Sequence, residues 1–171
     1  MSNISKRRSK LGKSWEKVVK EWRHNMANQE FDFYMKLREK MKRWLASKGG
    51  STHKWAGYLM FAPDLFHLLC KLSTDKDVPA KEKAKLAGAI AYFISPLDLV
   101  PEAIVGPGGY VDDVVLAAYV LNSVINNTSP DVVKKHWAGD ADILELIQKI
   151  LKVADKMVGS RLWSKLRGMF K

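Results

Sequence analysis

Apolar residues recur at helical spacing along most of this chain, and no run of strict two-residue alternation is long enough to make a strand. From Leu11, the residues Trp15, Val18, Val19, Trp22 and Met26 fall within about 100° of arc at 100° per residue. Lys13, Lys17, Lys20 and Arg23 lie off that stripe. After the polar stretch beginning at Met26, a second stripe uses Phe33, Tyr34, Leu37, Met41, Trp44 and Leu45. Lys48-Gly49-Gly50-Ser51 then stops the arm. Thr52 to Ser73 reads as a helix punctuated at Pro63, and Asp77-Val78-Pro79 starts another that should run to about Ile94. Tyr110 to Asn126 reads as a buried helix closed by Asn126-Asn127-Thr128-Ser129-Pro130. Shorter helical segments follow, with breaks near Gly139 and Gly159. The fold class is all-α.

Charge divides the chain where the helices suggest boundaries. Residues 1–54 carry a balance of +10, residues 55–133 carry −4, and residues 134–171 carry +5, for a formal net charge of +11. We therefore expect a basic helical arm over 1–54, an apolar helical core over 55–137 and C-terminal amphipathic helices over 138–171. At 171 residues and 47% hydrophobic content, these should form a single globular unit. The excess of cations favours acidic partners such as anionic lipid, nucleic acid or an acidic protein. The single cysteine, Cys70, excludes an internal disulfide and reads as a buried small hydrophobe. No apolar segment follows the basic opening residues, so no secretory signal is expected and a cytoplasmic setting is the default. No apolar run is long and charge-free enough to be read as a membrane span, so these segments read as core helices, with a re-entrant or membrane-embedded hairpin as the alternative.

The stretch from Tyr92 to Asp113 sets Asp98, Glu102, Asp112 and Asp113 within the most hydrophobic part of the chain. Capping offers a physical reason. Ser95 can serve as an N-cap with Pro96 at the first helical position, and Asp98 can bond back to the cap amide. Asp112 and Asp113 then fall in the first turn of the following helix, where carboxylates complement the macrodipole. The alternative is convergence of the four acids on a basic group of a partner, or on a hard cation. No spacing matches a calcium-binding loop, a phosphate-binding loop or a zinc site, so neither metal nor cofactor is expected.

Taken together, Tyr92, Ser95-Pro96-Leu97-Asp98-Leu99-Val100-Pro101-Glu102 and Gly109-Tyr110-Val111-Asp112-Asp113 resemble the signature of the YkvA-like family. Its members are small, mainly bacterial proteins with a short helical domain of unknown function. The match runs over about residues 78–124, with Glu102 where aspartate is more usual. The resemblance implies a compact helical domain, often membrane-associated, and supplies no catalytic residues.

In the C-terminal arm, Leu162, Trp163, Leu166, Met169 and Phe170 share about 120° of helical arc, and Arg161, Lys165, Arg167 and Lys171 lie outside it. An apolar face with Trp and Phe, backed by cations, suits a membrane interface, so the first five are candidate membrane-facing residues and the last four candidate anion-binding ones. The same stripe could instead dock on the protein's own core. Nucleic acid is a rival for the basic arms, yet no zinc-ligand spacing, helix-turn-helix or RNA-binding aromatic motif is present. His24, His53, His67 and His136 are scattered, and no nucleophile–base pair is evident, so the chain does not read as an enzyme. These features add up to a compact helical bundle with a central Pro/Gly-punctuated hairpin and basic amphipathic terminal helices. The expected role is non-enzymatic interaction, peripheral at the cytoplasmic membrane surface. A soluble adaptor or nucleic-acid-associated protein is the alternative, and a carboxylate-cluster metal-binding protein the second.

Overall fold

The computed structural model describes the backbone of residues 2–99 and 111–170. Side chains are described from residue 27 onward, except Ser51 and 95–99, and before that at Lys17, Lys20, Glu21, His24 and Asn25. Within these limits the chain is helical, with no strand among the described residues.

The elements are α1 (Ser2–Ala46), α2 (Lys48–Ser51), α3 (Ala56–Leu59), α4 (Ala62–Ser73), α5 (Ala80–Leu99), α6 (Val111–Asn127), α7 (Pro130–His136), α8 (Ile143–Val158) and α9 (Ser160–Met169). The two expected N-terminal stripes lie on one uninterrupted helix, α1. Ser47 caps the short α2, its hydroxyl accepting from the Gly50 amide at 3.2 Å. The segment expected as one helix from Thr52 to Ser73 is divided into α3 and α4, with Pro63 in the first turn of α4 where its missing N–H costs nothing. The breaks near Gly139 and Gly159 are where the sequence placed them, and Gly159 carries φ +83°, a conformation suited to glycine.

Packing follows from the length and burial of α6. It touches α3, α4, α5, α7 and α8. Val114 to Ala118, Val120, Leu121 and Val124 are all buried, so the helix is apolar on nearly every side and occupies the centre. α8 shows the opposite pattern, burying only Ile143, Leu146, Ile147, Ile150, Ala154 and Met157 along one face. Rings join the outer elements to this core. Phe33 of α1 meets Phe66 of α4 at 4.5 Å, and Phe66 meets Phe93 of α5 at 5.6 Å.

One expectation fails at the end of α5. Ser95 was to start a helix, whereas the backbone is helical without a break from Ala80 to Leu99. A proline's φ near −65° fits a helix; what Pro96 forfeits is a single amide donation to the carbonyl of Tyr92, four residues back. Four turns of helix already formed upstream outweigh that loss, since propagation is cooperative. Ser95 and Asp98 therefore sit in the last turns of a helix and not in the first.

Candidate functional site

The α5–α6 pair brings part of the acidic motif together. The two helices run antiparallel, with Glu82 beside Asn127 and Tyr92 beside Asp112. The Tyr92 hydroxyl donates to Asp112 Oδ2 at 2.7 Å. Burial first, then this bond to a carboxylate, pushes the Tyr92 phenol well above its ordinary range.

Asp113 is fully buried, and among the described residues both carboxylate oxygens lack a hydrogen-bond partner. Asp112 and Asp113 both lie in the first turn of α6, as expected, but Asp113 is buried there. Burial, reinforced by the charge of neighbouring Asp112, raises its pKa to about 9. The group carries a proton at neutral pH, because an isolated carboxylate cannot be kept ionised away from water. The side chains of Ser95 and Asp98, and the whole of Glu102, lie outside the described residues, so the convergence of four acids reduces here to Tyr92, Asp112 and Asp113. Among the described residues, no group of three or more His, Cys, Asp or Glu side chains could hold a metal ion.

Two other polar clusters went unread in the sequence. Glu82, 2% exposed, accepts from Lys85 Nζ at 3.3 Å and Asn127 Nδ2 at 3.0 Å on one oxygen, and from Ser123 Oγ at 2.9 Å on the other. This satisfied carboxylate clamps α5 to α6. Asp75, in the turn after α4, binds His136 Nε2 at 2.5 Å, Lys135 Nζ at 3.1 Å and the Asp77 amide at 2.8 Å. Those partners, His136 foremost, hold its carboxyl well below the usual range and tie α7 to the core. The partners of each cluster lie up to 45 or 61 positions away, so only the fold reveals them. Ser123 and Asn127 share one face of α6, which was the only local signal.

The C-terminal stripe faces inward. Leu166 is buried, and Leu162, Trp163 and Phe170 are half-buried against the core. The Trp163 ring stands edge-on to Tyr119 of α6 at 5.6 Å. Of the candidate membrane-facing residues only Met169 is exposed, at 61%. Arg161, Lys165 and Arg167 are exposed, with Arg167 lying over the Trp163 ring at 5.2 Å, and Lys171 lies outside the described residues. A cleft of about 330 Å³ opens between α3 and α8 beside Tyr58, Phe61 and Leu146. Its rim is largely self-satisfied, since Lys149 pairs with Glu145 at 2.8 Å and Asp142 caps α8.

The comparisons with known proteins meet the structure at this hairpin. Residues 82–119 match the family model described as Protein of unknown function (DUF1232). That span begins at the Glu82 clamp, contains Tyr92, Asp112 and Asp113, and ends at Tyr119, the residue on which Trp163 docks. The YkvA-like resemblance is consistent with it. The chain is also similar to the Uncharacterized protein ORF9 of Methanothermobacter thermautotrophicus, 27% identical over 101 residues, covering 59% of this chain and 69% of that one. No solved structure matches the chain. Among the described residues no helix is long and apolar enough to cross a membrane.

Proposed function

We propose that the chain is a non-enzymatic helical interaction protein, peripheral at the cytoplasmic membrane surface and held there by a basic amphipathic helix. The observation that carries this reading is the charge and exposure of α1. The arm over residues 1–54 holds +10 of the net charge, while the core that follows is mildly acidic. Before Glu30, every described side chain of α1 is exposed, including Lys17, Lys20 and His24. Each Lys or Arg held near an anionic leaflet contributes about 1 kcal/mol, so several together give measurable but salt-sensitive attachment. The core supports an interaction role more readily than chemistry. Burial pushes the Cys70 thiol far above its ordinary range, which disfavours the thiolate a nucleophile needs.

Co-sedimentation tests the proposal. The protein should pellet with vesicles of phosphatidylcholine mixed with phosphatidylserine, less so as salt rises, and not with phosphatidylcholine alone. A soluble adaptor would ignore both vesicles. A nucleic-acid-associated protein would instead bind single-stranded or duplex DNA with a steep salt slope. The carboxylate-cluster reading rests on Asp98, Glu102, Asp112 and Asp113, and it predicts that added Mg²⁺ or Mn²⁺ raises the melting temperature.

A further inference from the structure

α9 is held on the α5–α6 hairpin by three side chains. Trp163, Leu166 and Phe170 stand at positions i, i+3 and i+7, and the Phe170 amide still donates to the Leu166 carbonyl, so helical spacing reaches the last anchor. At 100° per residue the three share about 60° of arc. Leu166 is 1% exposed, and the Trp163 ring meets Tyr119 of α6 edge-on. Phe170 lies against Gly88 of α5. A Cβ at that glycine would come 2.8 Å from Phe170 Cε1, and the three nearest atoms it would meet all belong to the same ring. Glycine inside a helix costs stability relative to alanine. At Gly88 that cost goes with a notch in which an aromatic ring sits.

Gly88 and Tyr119 stand side by side. The Glu82–Asn127 and Tyr92–Asp112 bonds bracket them on the antiparallel pair and set them at about the same level. A notch on one helix and a ring on its neighbour make one receiving face, and apolar anchors at i, i+3 and i+7 are how an amphipathic helix fills such a face. The family match over residues 82–119 takes in both receiving residues and stops before α9. Gly159, at φ +83°, turns α9 out of the line of α8, the helix beside it. α9 is thus a separate piece laid on the family hairpin.

We infer that the face formed by Gly88 and Tyr119 accepts a helix from a partner protein, an amphipathic one with an acidic outer side, and that α9 is its resident competitor. The inference goes beyond the membrane role and does not depend on it. Charge selects the occupant. Residues 159–171 contribute four cations and no acid, and the rest of the chain still carries +7. α9 therefore lies as a cationic helix on a cationic body, with Arg161, Lys165 and Arg167 exposed. An acidic helix with the same three anchors meets attraction where α9 meets repulsion. A second copy brings the same four cations on a chain of net charge +11, and like net charges keep copies apart.

The test uses the full chain and two labelled peptides. One is residues 159–171, and the other is the same peptide with Arg161→Glu, Lys165→Glu, Arg167→Glu and Lys171→Glu. In the protein, Trp163→Ala with Phe170→Ala lifts its own α9. This should raise affinity for either peptide by about tenfold or more over wild type, because the tethered competitor is gone. The acidic peptide should bind about tenfold more tightly than the native one at low salt, and the gap should shrink as salt rises. Gly88→Leu, added to the opened protein, fills the notch and should abolish binding of both peptides. If the opened protein does not fold by circular dichroism, Phe170→Ala alone opens the face, with the same order of affinities expected. A folded, opened protein that binds no better than wild type overturns the inference, and so does binding that survives Gly88→Leu. An acidic peptide that binds no better than the native one overturns the partner's stated chemistry. A wild-type dimer in sedimentation equilibrium that Gly88→Leu dissolves would make a second copy the occupant and overturn the inference as well. Vesicle binding should be the same in wild type and Gly88→Leu, so a failure here is distinguishable from failure of the membrane proposal.

Discussion

At Asp113 the two carboxylate oxygens are buried and have no hydrogen-bond partner among the described residues, so a proton is the cheapest partner left. The fold holds that proton up to about pH 9, whereas an unfolded chain releases it near the ordinary value of 3.8. Between those limits the folded state binds more protons than the unfolded one. Stability from this group therefore falls as pH rises, by up to about 1.4 kcal/mol per pH unit. Asp113→Asn, an uncharged isostere, should be more stable than wild type near pH 8, with the gap closing toward pH 5 in urea melts. Parallel profiles would contradict the assignment. On the same grounds millimolar Mg²⁺ should leave the wild-type melting temperature unchanged, and a metal-dependent rise would favour the cation reading. Asp75 has the opposite sign. Its carboxyl is depressed by His136, the Asp77 amide and Lys135, so its contribution is present above 3.8 and is lost as pH falls below that value. Asp75→Ala should cost about 2–3 kcal/mol at neutral pH, read by urea denaturation, because three hydrogen bonds to a buried carboxylate go with it.

Among the elements, α8 and α9 show what helical periodicity can and cannot say. Both have an apolar stripe with cations off it, and the sequence reads both as amphipathic. What covers a stripe is a tertiary fact. Gly159 turns α9 back so that Leu166 is buried and Trp163 meets Tyr119, and no local signal distinguishes that from a lipid-facing helix. Trp163→Ala should accordingly lower stability by about 2 kcal/mol in thermal or urea melts, while leaving vesicle binding per folded molecule unchanged. A stable variant that has lost vesicle binding would restore α9 as the lipid face. At α5 the sequence misleads for a different reason. Ser-Pro-x-Asp is a fair helix start in isolation, but here it lies in a helix that begins fifteen residues earlier, at Ala80. Local capping chemistry cannot reveal that a helix is already under way. Asp112 and Asp113, by contrast, lie in the first turn of their helix as expected, and the bond of Asp112 to Tyr92 joins two residues of the recognised motif.

On the scale of the whole molecule, a hub helix, α6, is wrapped by α3, α4, α5, α7 and α8, and α1 packs on α4. The all-α class and most helix positions were legible because the apolar period is 3.6 and glycine or proline marks many of the ends. The clamps at Glu82 and Asp75 were not legible, since each joins residues remote in sequence. Charge marks residues 1–54 as basic, but it is not a packing boundary, since Leu37 and Met41 of that stretch are buried in the core. The central claim is that the core folds without lipid and that α1, before Glu30, is what meets the membrane. Amide hydrogen exchange with and without vesicles of phosphatidylcholine and phosphatidylserine reads both halves of that claim in one measurement. Lipid should slow exchange in α1 before Glu30 and leave α6, α8 and α9 as they were. New protection confined to α9, or no change anywhere in the presence of vesicles, would contradict it.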